Sequence, residues 1–241
     1  MTQRQWPVFL LGLLWLWGCG GSQDPVVEMQ KTLSSAPDYI LMLDDMREEG
    51  TFFPQYYHRY LVTQGERKVQ TDWIEVPEDI YRKYEPFLGM ALASKTSEGV
   101  NATPHPAGYD HVGNPQYGKW VERNGTSFWE FYGQYALLQS LMGMGGNLIN
   151  RADYNDYRTS RRDNRPYYGR NNEWGTQGSV TQQQKPSTFE RRKQAINQKQ
   201  QSFAQKLQNR ARQGQTGFGG FGSTGRSRSG FGGRSSGGFG K

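Results

Sequence analysis

Thiol and imidazole side chains, which often act as nucleophiles, bases or metal ligands, are rare in this 241-residue chain. The chain has one cysteine, Cys19, and three histidines. Cys19 follows a small residue, Gly18, and an apolar run from Trp6 to Trp17. The run is about as long as the apolar part of a secretory leader, and it is shorter than the roughly 20 residues of a transmembrane helix. We therefore expect residues 1–18 to be a leader that ends at the thiol of Cys19.

The stretch Leu16-Trp17-Gly18-Cys19 resembles the lipobox of bacterial lipoproteins, with leucine three residues before the cysteine and a small residue directly before it. Trp17 departs from the pattern, in which a small residue is more usual. The resemblance implies cleavage between Gly18 and Cys19, and acylation of Cys19 by chains such as palmitate that hold the protein on a membrane. Gly20 stands where lipoproteins retained in the inner membrane have aspartate, which favours the outer membrane. An ordinary secretory leader and an uncleaved anchor are the alternatives.

Charge divides the chain into an acidic part and a basic part. Residues 20–152 carry 11 Lys and Arg against 17 Asp and Glu, whereas residues 153–241 carry 17 against 5. The basic part is suited to contact the acidic part or an anionic surface. We expect a signal peptide at 1–18, an acylated cysteine with a flexible tether at 19–32, a body at 33–150 and a basic low-complexity tail at 151–241.

Local patterns in the body predict a small α+β domain. Tyr56–Thr63 is rich in aromatic and β-branched residues and predicts a strand, and Gln64–Arg67 predicts a hairpin turn into a partner strand at Lys68–Val76. Pro77–Tyr84 predicts a short helix because proline and acidic residues suit a first helical turn. The apolar run Asp38–Asp44 is too short to assign.

The strongest helix signal is Ser127–Met142. Ser127 and Glu130 have the spacing of a capping box, and Gly143 would end the helix. Most of its circumference is apolar, which predicts burial in the core against the hairpin; contact with the membrane or a membrane protein is the alternative. The expected fold class is α+β, with a small antiparallel sheet packed on one apolar helix and followed by a long, mostly disordered tail.

The tail combines basic residues with aromatic ones. Its ending, residues 214–241, is rich in Gly, Phe and Arg and buries too little apolar surface to fold alone. Residues 189–212 predict a basic amphipathic helix. Anionic lipid, lipopolysaccharide or a wall polymer fits this charge, and a spacer without a partner is the alternative. The residues expected to bind such a surface are Arg158, Arg161, Arg162, Arg165, Arg191, Arg192, Lys193, Arg226, Arg228 and Arg234.

A second resemblance is local. Asn114–Lys119, Ser127–Trp129, Leu141–Gly146 and the Phe/Gly/Ser/Arg ending are similar to pieces of the YgiB family of enterobacterial proteins, in a different order. The resemblance implies an envelope setting and no particular activity.

No stretch of the sequence is interpreted as an enzyme signature. The Gly143–Gly146 stretch predicts a helix stop rather than a phosphate-binding loop, and adjacent carboxylates such as Asp44 and Asp45 are interpreted as solvated. Two histidines and a carboxylate, His105, Asp110 and His111, have ligand chemistry, but their spacing matches no metal site. We therefore expect no cofactor and no metal.

The expected role is non-enzymatic binding or scaffolding in the bacterial envelope, outside the cytoplasm. An envelope hydrolase with a paired-carboxylate site is one alternative, because the separation of carboxylates in space cannot be derived from sequence. A secreted nucleic-acid-binding protein is the other. Nucleic acid is the less favoured partner because the leader directs the chain out of the cytoplasm.

Overall fold

The computed structural model describes residues 24–50, 53–141 and 149–216. The chain divides into two units, of which the first ends at Ala195 and the second begins at Ile196. The described α-helices are α1 (Pro25–Thr32), α2 (Glu78–Tyr84), α3 (Ala136–Leu141), α4 (Arg151–Arg162), α5 (Ser179–Gln184) and α6 (Pro186–Thr216).

The strands form one main sheet and one separate hairpin. They are β1 (Tyr39–Glu49), β2 (Gln55–Gln64), β3 (Arg67–Gln70), β4 (Ile74–Val76), β5 (Ala91–Thr96), β6 (Gly99–Asn101), β7 (Gly118–Arg123) and β8 (Thr126–Phe131). The order in the main sheet is β3-β2-β1-β5-β6, β4 also pairs with β2, and every pairing is antiparallel. The small antiparallel sheet and the helices confirm an α+β fold.

The central strand β1 is buried on both faces. Ile40 and Met42 belong to one core cluster, whereas Leu41 and Leu43 belong to another. Successive side chains of a strand point to opposite faces, so the two clusters lie on the two sides of the sheet. Residues of α1 and α2 contribute to the Leu41 cluster, and residues of β8 and α4 contribute to the Ile40 cluster.

The expected hairpin at residues 56–76 is present as β2 followed by β3 and β4. Gln64 pairs with Arg67 at the turn, where Gly65 has a φ of 55°. The partner strand is interrupted between β3 and β4. The hydroxyl of Thr71 accepts a hydrogen bond from the backbone N–H of Tyr60 there, at 3.0 Å. The helix expected at 77–84 is present as α2.

The helix predicted at Ser127–Met142 is wrong for its first half. Residues up to Phe131 form β8, which pairs with β7, and only Ala136–Leu141 is α-helical; Met142 lies outside the described residues. The reason is the hairpin turn at Asn124-Gly125, where φ is 50° and 72°. Asn-Gly is the preferred pair for such a turn, and it aligns the following residues with β7.

Part of the expected tail is ordered, because α4, α5 and α6 lie within residues 151–216, with turns and irregular backbone between α4 and α5. Residues 151–195 belong to the first unit, and their buried aromatic side chains Tyr157, Tyr167 and Trp174 join the Ile40 cluster. The predicted helix at 189–212 falls within α6. Residues 25–32 of the expected flexible tether form α1, in which Val26 is buried.

Candidate functional site

Asp110 lies at the centre of a buried polar cluster. Its carboxylate accepts hydrogen bonds from the Asn101 side-chain amide at 3.1 Å and from the hydroxyls of Ser94 and Tyr157. The guanidinium of Arg161 lies 3.3 Å from the same carboxylate. Ser94 comes from β5, Asn101 from β6, and Tyr157 and Arg161 from α4, so Asp110 joins α4 to the edge of the sheet.

His105 lies beside this carboxylate. Its Nε2 is 3.3 Å from Asp110 Oδ2 and 3.4 Å from Ser94 Oγ. Its Nδ1 is 2.8 Å from the carbonyl oxygen of Thr103, which can only accept, so Nδ1 carries a proton. Ser, His and Asp are the residue types of a hydrolase triad. However, the Ser94 hydroxyl donates to Asp110 rather than to His105, and Ser94 and His105 are each only 1% exposed. The cluster therefore stabilises the packing of α4 on the sheet.

A second charged cluster surrounds Asp44 and Asp45, which we call the carboxylate pair. A β-bulge in β1 at this point lets two successive side chains reach the same group of cations. Lys185 Nζ lies 2.6 Å from Asp44, and Arg191 Nη2 lies 2.6 Å from Asp45. Arg59 contacts both carboxylates, at 3.1 and 3.2 Å. The carboxylate pair thus holds the segment 185–192, which contains the first turns of α6, on the sheet.

The interpretation of Asp44 and Asp45 as solvated is wrong, since both are buried. Burial alone would raise the pKa of Asp44, but Lys185, Gln70 and Arg59 hold that pKa below its ordinary value. Asp45 also accepts a hydrogen bond from the buried Thr188 hydroxyl at 2.8 Å. The surrounding donors favour the ionised form of Asp44 inside the fold.

Trp73 orients the cations of this cluster. The guanidinium groups of Arg47, Arg59 and Arg191 lie 4.4, 4.8 and 5.9 Å from the centre of its ring. Cation–π contact with an indole face is favourable, and it restricts long side chains that would otherwise lose more entropy on pairing. Trp73 therefore helps Arg59 and Arg191 to reach the carboxylate pair.

Several of the residues expected to bind an anionic surface contact carboxylates of the chain itself. Arg191 contacts the carboxylate pair, Arg192 forms an ion pair with Glu85, and Arg161 contacts Asp110. Arg165 forms a surface ion pair with Asp163 at 2.8 Å.

The remaining members of that set are exposed on helices or lie outside the described residues. Arg158 and Arg162 are exposed on α4, and Lys193 is exposed on α6. Gly18, Cys19, Arg226, Arg228 and Arg234 lie outside the described residues.

Comparisons with protein-family models, with curated proteins and with solved structures found no match. Within the described ranges, no helix combines the length and the apolar character needed to cross a membrane.

The part of α6 after Ala195 has an exposed apolar stripe. Ile196, Phe203 and Leu207 are 55%, 63% and 52% exposed. At about 100° per residue these three side chains fall within about 40° of the helix circumference. The cations on either side of the stripe are Lys193, Lys199, Lys206 and Arg210. We call residues 196–210 the amphipathic segment.

Two histidines with no role assigned from the sequence are buried in the core. His58 and His111 are 0% and 3% exposed, and burial lowers the pKa of each to about 4. His58 Nδ1 lies 2.9 Å from the hydroxyl of Tyr60, whereas His58 Nε2 and His111 Nδ1 have no hydrogen-bond partner among the described residues. In the same ranges, no group of three or more His, Cys, Asp or Glu side chains is placed to hold a metal ion.

Proposed function

We propose that this chain is a membrane-anchored bacterial envelope protein with a non-enzymatic binding role, and that its amphipathic segment lies on an anionic lipid surface. The observation that carries the proposal is the exposed stripe of Ile196, Phe203 and Leu207 on a basic helix. A helix with these two properties is typical of segments that lie in the membrane interface.

The charge of this region suits an anionic bilayer. Glu190 is the last acidic residue, and residues 191–241 contain 11 Lys and Arg. Each cation near an anionic membrane surface contributes about 1 kcal/mol to binding. Lysine stems can lie along an apolar stripe while their ammonium groups reach the phosphates. Apolar burial and charge therefore act on the same side of the helix.

The carboxylate pair supports a helical amphipathic segment. A helix with such a thin apolar stripe is marginal in water, because its first turn is costly to form. In this chain the ion pairs of Lys185 and Arg191 hold the first turns of α6 on the sheet. The held turns provide a helical start from which the amphipathic segment continues.

The lipid anchor at Cys19 is tested at the mature N-terminus. Mass spectrometry of the protein from a bacterial membrane fraction is expected to find a diacylglyceryl Cys19 as the first residue. The Cys19→Ala variant is expected to remain unprocessed or to leave the membrane, because it lacks the acylated thiol. A processed chain with an unmodified Cys19 would show that the protein has no lipid anchor at this residue. The membrane contact of the amphipathic segment would then rest on the vesicle experiment.

The lipid contact is tested by flotation of a leaderless Cys19→Ser chain with vesicles, so that no acyl anchor dominates binding. Replacing Ile196, Phe203 and Leu207 with Ser is expected to weaken partitioning into anionic vesicles about 100-fold. We base this on about 1 kcal/mol of apolar burial for each side chain, half or less of its full burial value. Binding of the parent chain should weaken as salt screens the lysines.

The matched control replaces Val27, Val69 and Val100, three other exposed apolar residues, with Ser. This control is expected to bind vesicles like the parent chain. Equal loss in the control, or undiminished binding of the Ile196/Phe203/Leu207 variant, would contradict a specific role for the amphipathic segment.

A further inference from the structure

The exposed face of α4 carries a straight row of arginines. Arg151, Arg158 and Arg162 are all exposed, and their spacing of seven and four residues places them within about 40° of one another on the helix. The row extends about 16 Å along the axis, at 1.5 Å per residue. We call these three residues the arginine row.

Aromatic rings support two members of the row. The guanidinium of Arg151 lies 4.1 Å from the ring centre of Trp120, and that of Arg158 lies 5.9 Å from Tyr154. In the described part of the chain, no carboxylate lies within 4.0 Å of a guanidinium of the row. Stacking therefore orients Arg151 and Arg158, and the row is not neutralised by ion pairs, unlike its neighbours.

The neighbouring arginines all have carboxylate partners. Arg161 contacts Glu98 at 3.6 Å and also contacts Asp110. Beyond the row, Arg165 pairs with Asp163 at 2.8 Å and Arg170 lies 3.8 Å from Asp153. The positive surface is thus a narrow line.

The exposed carboxylate of Glu98 borders this line on the side of Arg161, from which it lies 3.6 Å away. At about 100° per residue, Asp156 faces about 140° away from the row and does not border it. A flat anionic bilayer pressed on the row would bring the carboxylate of Glu98 towards lipid phosphates, which costs energy. A single polymer chain would follow the row without touching Glu98.

We propose that the arginine row binds one chain of a phosphate-bearing linear polymer along α4. Guanidinium groups present several N–H donors in a planar fork that matches phosphate oxygens, which favours arginine over lysine for this chemistry. The length of the row accommodates several consecutive phosphates of an extended chain. This surface is independent of the amphipathic segment and takes a polymer rather than a bilayer.

The test measures binding of the leaderless Cys19→Ser chain to a short poly(glycerol phosphate) by titration calorimetry at several salt concentrations. The variant Arg151→Gln/Arg158→Gln/Arg162→Gln is expected to bind at least about tenfold more weakly at physiological salt. Its log–log salt slope should fall by about 2, from three lost contacts at about 0.7 each for a single phosphate chain.

The control Arg123→Gln/Arg165→Gln/Arg170→Gln removes the same charge from exposed arginines that have carboxylate neighbours. It is expected to change the affinity less than about twofold, because these cations are already partly neutralised. Both variants should float with anionic vesicles like the parent chain. The proposal would be overturned if both variants lost polymer binding equally, or if the row variant lost none. It would also be overturned if the row variant alone lost vesicle binding.

Discussion

Replacing Asp110 with Ala is expected to lower the free energy of unfolding by about 3–5 kcal/mol, because it removes one side of a buried charged cluster. The change removes the carboxylate that accepts from the hydroxyls of Ser94 and Tyr157 and from the amide of Asn101. Each buried donor left unpaired adds to the loss. Urea unfolding followed by far-UV circular dichroism measures the effect.

The matched control for this prediction is Asp163→Ala. Asp163 is exposed and pairs with Arg165 on the surface, so its loss is expected to cost about 1 kcal/mol or less. Tyr157→Phe, which removes a single donor from the cluster, should fall between the two. If Asp110→Ala were no more damaging than the control, the cluster would not hold α4 on the sheet.

Acidification is expected to destabilise the protein well before its carboxylates protonate. The pKa of His58 and that of His111 are each about 4 in the folded state, whereas an unfolded histidine has a pKa of about 6.5. Between these values the unfolded chain binds more protons, so stability falls as pH falls. At pH 5 the loss is about 2 kcal/mol for each histidine, and it is almost absent at pH 7.

The physical cause is burial of a ring that would have to accept a second proton without a partner. Unfolding free energies between pH 7 and pH 5 measure the effect, and His58→Gln should remove about half of it. The carboxyl of Asp44 has a lowered pKa and contributes only at more acid pH. A flat profile above pH 5 would show that these two rings are solvated or protonated in the folded protein.

Local sequence patterns predicted the parts of the fold that depend on neighbouring residues. The β2–β3 hairpin follows from a run of aromatic and β-branched residues and a turn that contains glycine. The helix α2 follows from the proline and acidic residues of its first turn. The prediction of a helix for the aromatic run after Ser127 is wrong, because the Asn124-Gly125 pair favours a hairpin there. In β8, Trp129 and Phe131 are buried while Glu130 is exposed, as alternation in a strand requires.

Contacts between distant residues could not be predicted in this way. Asp44 and Asp45 resemble a solvated pair until Lys185 and Arg191, about 140 positions later, are brought beside them. Similarly, the tyrosines of residues 151–174 gain an apolar environment from distant parts of the chain, such as Tyr109 and β8. A segment that cannot fold alone is ordered where the body supplies the missing surface.

The depth of the amphipathic segment in a bilayer shows directly whether this helix lies on the membrane. Single cysteines at Gln200 and Gln205, in the leaderless Cys19→Ser chain, can carry spin labels without disturbing the apolar stripe. Position 200 lies beside the stripe and position 205 lies on the opposite face.

Paramagnetic accessibility with anionic vesicles is expected to place the label at 200 about 5–10 Å into the interface while the label at 205 stays in water. Two labels that remain equally exposed to the aqueous reagent would contradict the claim that this helix lies on the membrane.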